Sequence, residues 1–388
     1  MNFENVLNPK KEQEKEEKEG SAKKILKIQD LLRIQIEKNA SDLHIAVGVP
    51  PLLRIHGKLT QLTEYPPIKP EDSRRLISSI LSDIQRDEYN KNHQIDFAYE
   101  LAGQARFRVN AYWERRGESA AFRLIPTEIL SIKDLGLPEI LESLAFRSRG
   151  FVVVTGPTGS GKSTTLAAII DVVNKKRHDH IITIEDPIEF IHEHKNCLIS
   201  QREVGAHTNS FFDGLRVALR EDPDVILVGE LRDYETISLA IRAAETGHLV
   251  FATLHTSSAI STIDRIIDVF PMEQQEQIRA QVSDVLVSVI CQTLLPKMDG
   301  KGRVCAVEIM MANAAIKNLI REEKTHQIIS IIQTSKAEGM VLIDQSLMDL
   351  LKKGVITGES AYIQAHDKKL FAQFAPESVK RAAALGQL

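Results

Sequence analysis

The sequence predicts an α/β protein in which a smaller α+β domain precedes a phosphate-binding domain. A glycine-rich loop at residues 156–164 stands between a β-branched apolar segment and an amphipathic helical segment. Around and after this loop, strand-like and helical segments alternate from Phe151 to about Val307, which is typical of a parallel sheet covered by helices. Upstream, short alternating segments indicate antiparallel strands. A length of 388 residues is sufficient for two such domains.

The chain begins with a charged tail, which the first domain follows. Every residue from Lys10 to Glu19 except Gln13 is charged, so we expect residues 1–22 to be solvated and to form no packed core. Residues 23–125 are predicted to be one domain. Its expected elements are, in order, a helix over 25–36, strands at 43–46 and 52–55, a helix over 72–81, and strands at 96–100, 105–112 and 119–125.

A linker is expected between the two domains. Residues 126–137 are rich in turn and helix-stop signals. The second domain should then span 138–374, with apolar helical faces around Ile316 and Leu347 in its last part, and residues 375–388 should form a tail. Gly354 is the expected C-cap glycine of the helix that carries Leu347.

The glycine-rich loop carries the strongest functional signal in the sequence. It completes the pattern G-x-x-x-x-G-K-[ST] with Gly156, Pro157, Thr158, Gly159, Ser160, Gly161, Lys162, Ser163 and Thr164. Its glycines let the backbone curve around phosphate oxygens, Lys162 reaches the β- and γ-phosphates, and Ser163 offers a hydroxyl to Mg²⁺. A chance match in a glycine-containing turn is the alternative, but the strand before the loop and the helix after it argue against that alternative. The loop predicts binding of a nucleoside triphosphate.

Acidic residues follow two further apolar strands. Glu185, Asp186 and Glu189 follow the strand 181–184, and Glu230 follows the strand 225–228. Because the carboxyl ends of parallel strands face the ligand crevice, these acids are candidates for holding Mg²⁺ and for orienting or deprotonating the attacking water. A helix N-cap or a surface charge is the alternative role for each of them.

Histidines and arginines complete the candidate site. His248 and His255 stand at the two ends of an apolar strand, where each could contact a γ-phosphate oxygen or a catalytic carboxylate, or be structural. Four arginines are candidates for stabilising charge on the transferred phosphoryl group, with a surface ion pair as the alternative for each. They are Arg108 and Arg123 on strands of the first domain, and Arg216 and Arg220 on one predicted helical face of the second.

The composition excludes several other classes of protein. A formal net charge of −4, a pI near 6.3 and 5% aromatic residues argue against a motor that acts on nucleic acid. The three cysteines, Cys197, Cys291 and Cys305, include no C-x-x-C pair, so neither a disulfide framework nor a zinc ribbon is expected. No apolar stretch approaches the length of a membrane span, and the start lacks a secretory signal, so we expect a cytoplasmic protein.

Together these motifs resemble the secretion-ATPase superfamily, and most closely its PilT-type branch, the retraction ATPases of type IV pili. The matching segments are GPTGSGKST (156–164), TIEDPIEF (183–190), LREDPDVILVGELRD (219–233) and TGHLVFATLHT (246–256). The segment AIKNLIRE (315–322) matches the retraction signature A-I-R-N-L-I-R-E, with Lys317 replacing its first arginine. The resemblance covers residues 25–373.

The resemblance implies a PAS-like first domain, a RecA-like P-loop NTPase second domain and a homohexameric ring that binds ATP and Mg²⁺ between the domains. By similarity, Glu189 is the general base, and Glu230 is the ligand of Mg²⁺ or water, with Glu185 and Asp186 as further candidates. The four arginines would reach the phosphates. The implied activity is ATP hydrolysis that drives pilus retraction and twitching motility at the cytoplasmic face of the inner membrane, with a pilus platform protein as partner.

Three alternatives remain open at this point. A pilus-assembly or type II secretion ATPase belongs to the same superfamily, but such proteins usually carry a tetracysteine zinc insertion that this sequence lacks. A nucleic-acid motor would need a basic, aromatic-lined channel. A scaffold that binds ATP without turnover would not need Lys162, Glu189 and Glu230.

Overall fold

The computed structural model describes residues 26–55, 57–125 and 128–384. The chain divides into two compact units, Met1–Pro126 and Thr127–Leu388. The predicted charged tail, residues 1–22, lies outside the described residues. Within the part that is described, no helix is long and apolar enough to cross a membrane.

The first unit contains a six-stranded antiparallel sheet with the strand order β3-β2-β1-β6-β5-β4. Its strands are β1 (Asp42–Ile45), β2 (Leu52–Ile55), β3 (Lys58–Gln61), β4 (Gln94–Leu101), β5 (Ala105–Glu114) and β6 (Gly117–Ile125). Its helices are α1 (Ile28–Glu37), α2 (Pro70–Ser78) and α3 (Asp83–Asn92). This arrangement confirms the predicted α+β domain, to which the structure adds β3 and α3.

One face of this sheet is buried and the other carries charge. In β5, Phe107 and Val109 are buried whereas Arg108 between them is exposed, which is the alternation that the sequence predicted for a half-covered strand. Phe107 belongs to an apolar core with Leu31 and Leu32 from α1. The strand that carries Arg108 is therefore part of a packed domain.

The second unit contains a seven-stranded sheet with the order β13-β12-β7-β11-β10-β8-β9. Its strands are β7 (Gly150–Thr155), β8 (His180–Glu185), β9 (Leu198–Glu203), β10 (Val225–Val228), β11 (Leu249–Leu254), β12 (Leu286–Pro296) and β13 (Arg303–Met311). Every residue of β7, β10 and β11 is buried, as expected for central strands of a parallel sheet. The strands from β7 to β12 are paired in parallel.

The final strand does not follow the predicted pattern. β13 pairs with β12 in an antiparallel hairpin, so alternation of strands and helices does not continue through Val307 as predicted. The turn between these strands includes Gly300 and Gly302, both with positive φ, and such a short connection permits only antiparallel pairing.

The helices of the second unit surround this sheet and continue beyond it. They are α4 (Ile140–Leu144), α5 (Lys162–Lys176), α6 (Phe211–Ala218), α7 (Tyr234–Glu245), α8 (Ala259–Asp268), α9 (Met272–Val285), α10 (Ala314–Arg321), α11 (Ile328–Thr334), α12 (Ile343–Lys352), α13 (Gly358–Gln364), α14 (Lys368–Phe371) and α15 (Glu377–Ala384). Gly354 follows α12 with a φ of 68°, as its predicted capping role requires. α15 lies where a tail was expected.

Candidate nucleotide site

The glycine-rich loop lies directly after the central strand β7 and leads into α5. Gly156 and Gly161 have φ values of 138° and 89°, a region that residues with a Cβ rarely adopt. A Cβ on Gly156 would also lie 2.2 Å from the backbone oxygen of Gln292 on β12. Glycine is therefore required at position 156 both by the backbone angle and by the neighbouring strand.

The loop presents backbone N–H groups that are available to an anion. The amides of Gly159, Gly161, Lys162 and Ser163 have no backbone or side-chain acceptor among the described residues. The last two open α5, where the helix dipole adds positive potential. These donors fit the phosphates of a nucleotide.

The side chain of Lys162 folds over this loop. Its Nζ donates to the carbonyl oxygens of Gly156 at 2.9 Å and Pro157 at 3.3 Å, and it lies 3.5 Å from Nδ1 of His255. Burial lowers the pKa of Lys162, while the carboxylates of Glu230 and Glu189 oppose that shift. The ammonium is thus held at the loop by weak acceptors that phosphate oxygens could replace.

Glu230 follows β10, which lies in the sheet beside β11, and β11 in turn lies beside β7. Glu230 is therefore at the same end of the sheet as Lys162. Its Oε2 accepts a hydrogen bond from Arg232 Nη2 at 2.7 Å, and its Oε1 lies 3.3 Å from His255 Nε2. Arg232, His255 and Lys162 hold the pKa of the Glu230 carboxyl below its ordinary value. Glu230 is therefore a charged carboxylate among basic side chains, as an ion or water ligand requires.

Sequence reasoning missed residues that support this cluster. Arg232 lies two residues after Glu230, and its place in GELRD was the available signal. Thr155 Oγ1 donates to Thr256 O at 2.7 Å and accepts from Thr256 N at 2.9 Å, which fixes the end of β11 against β7. Gln292 Nε2 donates to Ser160 O at 2.7 Å, a contact across 132 residues that no local pattern announces.

The acidic segment after β8 is arranged differently. Glu185 Oε1 accepts hydrogen bonds from Thr183 Oγ1 at 2.6 Å and from Gln201 Nε2 at 3.2 Å. Burial raises the pKa of the Glu185 carboxyl to about 7, against these hydrogen bonds, which lower it. Gln201 also donates to Phe190 O at 2.8 Å. These hydrogen bonds tie Glu185 to β8 and β9, and its role as a metal ligand stays a prediction.

Asp186 and Glu189 both lie exposed on this loop. The Asp186–Pro187 peptide bond is cis. No side-chain hydrogen bond of Glu189 is found in the described ranges, and its carboxylate influences Lys162 only through space. The described residues also contain no preformed group of three His, Cys, Asp or Glu residues for a metal. Whether Ser163 and Glu230 hold Mg²⁺ stays a prediction.

The two histidines of the 246–256 segment lie at opposite ends of β11. His255 follows the strand on the side of Lys162, whereas His248 precedes it, and its Nδ1 lies 2.9 Å from Ala243 O. The six residues of β11 lie between the two, so seven residue steps separate them by about 23 Å at the usual rise. His248 therefore does not join the glycine-rich loop of its own chain, and its contact with a nucleotide stays a prediction.

The four candidate arginines already have partners or lie exposed. Arg123 Nε lies 3.0 Å from Asp42 Oδ1, and Arg108, its direct cross-strand neighbour, lies 4.0 Å from Asp96. In the second unit, Arg216 is exposed on α6 and paired with an aspartate one turn away at 2.8 Å. Arg220 does not share that helix as predicted, since α6 ends at Ala218. Whether these four contact phosphates stays a prediction.

Comparisons with known proteins agree with this site. The family described as type II/IV secretion system protein matches residues 16–361. The type IV pilus retraction ATPase PilT of Pseudomonas aeruginosa is 51% identical over 334 residues, which cover 86% of this chain and 96% of that protein. A twitching motility protein of Neisseria gonorrhoeae is 50% identical and covers 88% of this chain and 91% of its own length.

A solved structure is similar over the same range. A crystal structure of the pilus retraction motor PilT with bound ADP superposes with a TM-score of 0.85 at 48% sequence identity. The match covers 90% of this chain and 99% of that one. The sequence and the fold therefore point to the same relatives, and one of these relatives binds an adenine nucleotide.

Proposed function

Because the chain belongs to the type II/IV secretion system protein family, we propose that it is an ATP-hydrolysing motor that drives retraction of type IV pili. The observation that carries this proposal is the contact of Lys162, His255 and Glu230 at the mouth of the glycine-rich loop. Its support is the 51% identity to a retraction ATPase over most of both chains. The resemblance stated from sequence motifs led to the same activity.

The residues of the site divide the work of hydrolysis. The loop amides and Lys162 bind the β- and γ-phosphates and neutralise charge on them. Ser163 and Glu230 would hold Mg²⁺, which when bound supplies positive charge between the phosphates. His255 orients the Glu230 carboxylate through the 3.3 Å contact. Glu189 is the proposed general base, because its exposed carboxylate has no competing partner among the residues described.

The working assembly is proposed to be a homohexamer. Arg108, Arg123, Arg216 and Arg220 would supply charge to the phosphates in that assembly. The present ion pairs of Arg108, Arg123 and Arg216 with carboxylates are exposed enough to be exchanged. The proposed partner is a pilus platform protein at the cytoplasmic face of the inner membrane. Motion of that partner would use the free energy of ATP hydrolysis.

Two measurements test this function. The purified full-length protein should hydrolyse ATP in a Mg²⁺-dependent reaction, and a protein without turnover would refute the motor. Deletion of its gene should increase surface pili and abolish twitching, because pili would extend without being withdrawn. Loss of pili on deletion would instead indicate an assembly ATPase.

A further inference from the structure

Glu308 on β13 is a buried carboxylate that the nucleotide site does not use. Its side chain is 4% exposed. Oε1 accepts a hydrogen bond from the amide of Ala259 at 2.8 Å, and Oε2 accepts one from the amide of Ile343 at 3.4 Å. These amides belong to the first residues of α8 and α12. One carboxylate therefore satisfies the free N–H groups of two helix N-termini.

The α8 side of this contact leads to the nucleotide site. Ala259 lies four residues after His255, which contacts both Lys162 and Glu230. In the same helix, Thr262 Oγ1 lies 2.6 Å from Thr256 Oγ1. Thr256 in turn is bonded to Thr155 at the start of the glycine-rich loop. A displacement of the α8 N-terminus would therefore be transmitted to His255.

The α12 side leads to the end of the chain. The helices from α12 onward share an apolar cluster with Leu295 of β12 and Ala306 of β13, and this cluster is distinct from the core of the large sheet. Around Glu308, β13 holds the start of α12 by two further contacts. The amide of Val307 donates to Ser346 Oγ at 3.1 Å, and Ile309 and Val341 exchange backbone hydrogen bonds at 2.8 and 3.1 Å.

We propose that Glu308 is a positioning residue that couples the C-terminal helices, residues 343–384, to the His255 end of the nucleotide site. The carboxylate cannot release either amide cheaply, because a buried donor left without an acceptor is costly. The two helix starts therefore move together. A load or partner that shifts the C-terminal helices would change ATP turnover through α8, and nucleotide binding would change the C-terminal helices in return.

A merely structural role would give a different result, and the chain offers a matched control. Asp344 also accepts two backbone N–H groups, from His366 at 2.8 Å and Asp367 at 2.9 Å. Both bonds stay within the C-terminal helices and do not reach α8. Loss of this carboxylate should lower thermal stability but should lower kcat less than Glu308→Gln does, because both hydrogen bonds of Glu308 stay in place.

The first experiment compares Glu308→Gln with Asp344→Asn in the full-length protein. The Glu308→Gln substitution keeps the shape of the side chain, but its amide group could no longer accept both N–H groups. We expect kcat to fall about 2- to 30-fold, with ADP affinity unchanged, because the loss falls on positioning. Turnover is measured well below the Tm of each variant. Equal kcat values for wild type and Glu308→Gln would overturn the proposal.

The second experiment needs no variant and so does not depend on a mutant that folds. Amide hydrogen exchange at Ile343 is measured in the wild-type protein with and without ADP. Coupling predicts exchange slower by at least about fivefold when ADP is bound. Unchanged exchange in the ADP-bound protein would overturn the coupling.

This inference rests on the proposed function, and the two can fail separately. A wild-type protein that neither binds ADP nor hydrolyses ATP refutes the motor itself. A wild-type protein that hydrolyses ATP, but whose turnover is insensitive to Glu308→Gln, refutes only the coupling.

Discussion

The two halves of the nucleotide site are held in different ways. In the P-loop half, residues 155–163 with Glu230 and His255, strand ends and side chains contact one another at hydrogen-bonding distance. In the acidic-loop half, residues 185–190, Glu185 accepts hydrogen bonds from Thr183 of β8 and Gln201 of β9, whereas Asp186 and Glu189 lie exposed. The residues proposed to bind phosphate contact one another, whereas no side-chain hydrogen bond of Glu189, the residue proposed to activate water, is found among the described residues.

This difference teaches that binding and hydrolysis have separate structural requirements. Because β7, β11 and β10 are adjacent and parallel, the residues that follow their carboxyl ends lie close together. Lys162, His255 and Glu230 are such residues. The position of Glu189 depends on a loop that Glu185, Gln201 and Glu203 hold, and Glu203 accepts a hydrogen bond from the amide of Ile188 at 3.0 Å. We therefore expect substitutions in the P-loop half to change nucleotide affinity, and substitutions in the acidic-loop half to change turnover alone.

The largest effect should come from Glu189→Gln in the acidic-loop half. Removing a general base should lower kcat by about 10²- to 10⁴-fold while ADP affinity stays the same. Steady-state ATPase kinetics and ADP titration measure the two quantities. Glu193→Gln, an exposed acid shortly after the same loop, serves as the control. A Glu189 variant with nearly normal kcat would remove this residue from the role of base.

Next in size is Lys162→Ala in the P-loop half. Loss of its charge should lower kcat/KM by about 10²- to 10³-fold. It should also lower the affinity for ADP, because the ground state loses a phosphate contact. The control is Lys176→Ala, an exposed lysine in the last turn of the same helix. An affinity for ADP that Lys162→Ala leaves unchanged would contradict the proposed distinction between the two halves.

Glu230→Gln should have a smaller effect, about 10- to 100-fold on kcat, as for residues that support a bound metal ion. The amide can still contact His255 but carries no charge. The affinity for Mg²⁺-ATP should fall more than that for ADP measured without Mg²⁺. Glu235→Gln on the exposed side of α7 is the control. Equal losses with and without Mg²⁺ would point to a purely structural carboxylate.

The smallest expected effects come from two glutamines, one for each half. Gln292→Leu removes the hydrogen bond to Ser160 O and should lower the affinity for ADP about 2- to 12-fold, which corresponds to the loss of one hydrogen bond. Gln201→Leu releases the acidic loop and should lower kcat by a similar factor without changing ADP affinity. A pair of variants with interchanged effects would show that the two halves are not separate.

The sequence predicted the elements whose apolar pattern is strong, and it failed where the pattern is weak or the contact distant. β7, the glycine-rich loop and α5 follow from local residue types alone. β3 is exposed at every position, so it has no apolar alternation to recognise. The direction of β13 depended on a turn length, which residue alternation does not encode. The contact of Gln292 with Ser160 and the distance of His248 from the glycine-rich loop depend on where the strand ends lie in space.

The exposed tip of the β12–β13 hairpin is a suitable position for a fluorescent label. Residues 299–302 at its tip are exposed, whereas its buried stem carries Gln292 against the phosphate loop and Glu308 between two helices. Exposed turn tips tolerate inserted residues, because their backbone supports little else. A fluorescent label at this tip would therefore be attached to the hairpin that contacts both the phosphate loop and the C-terminal helices, at a position outside the nucleotide site.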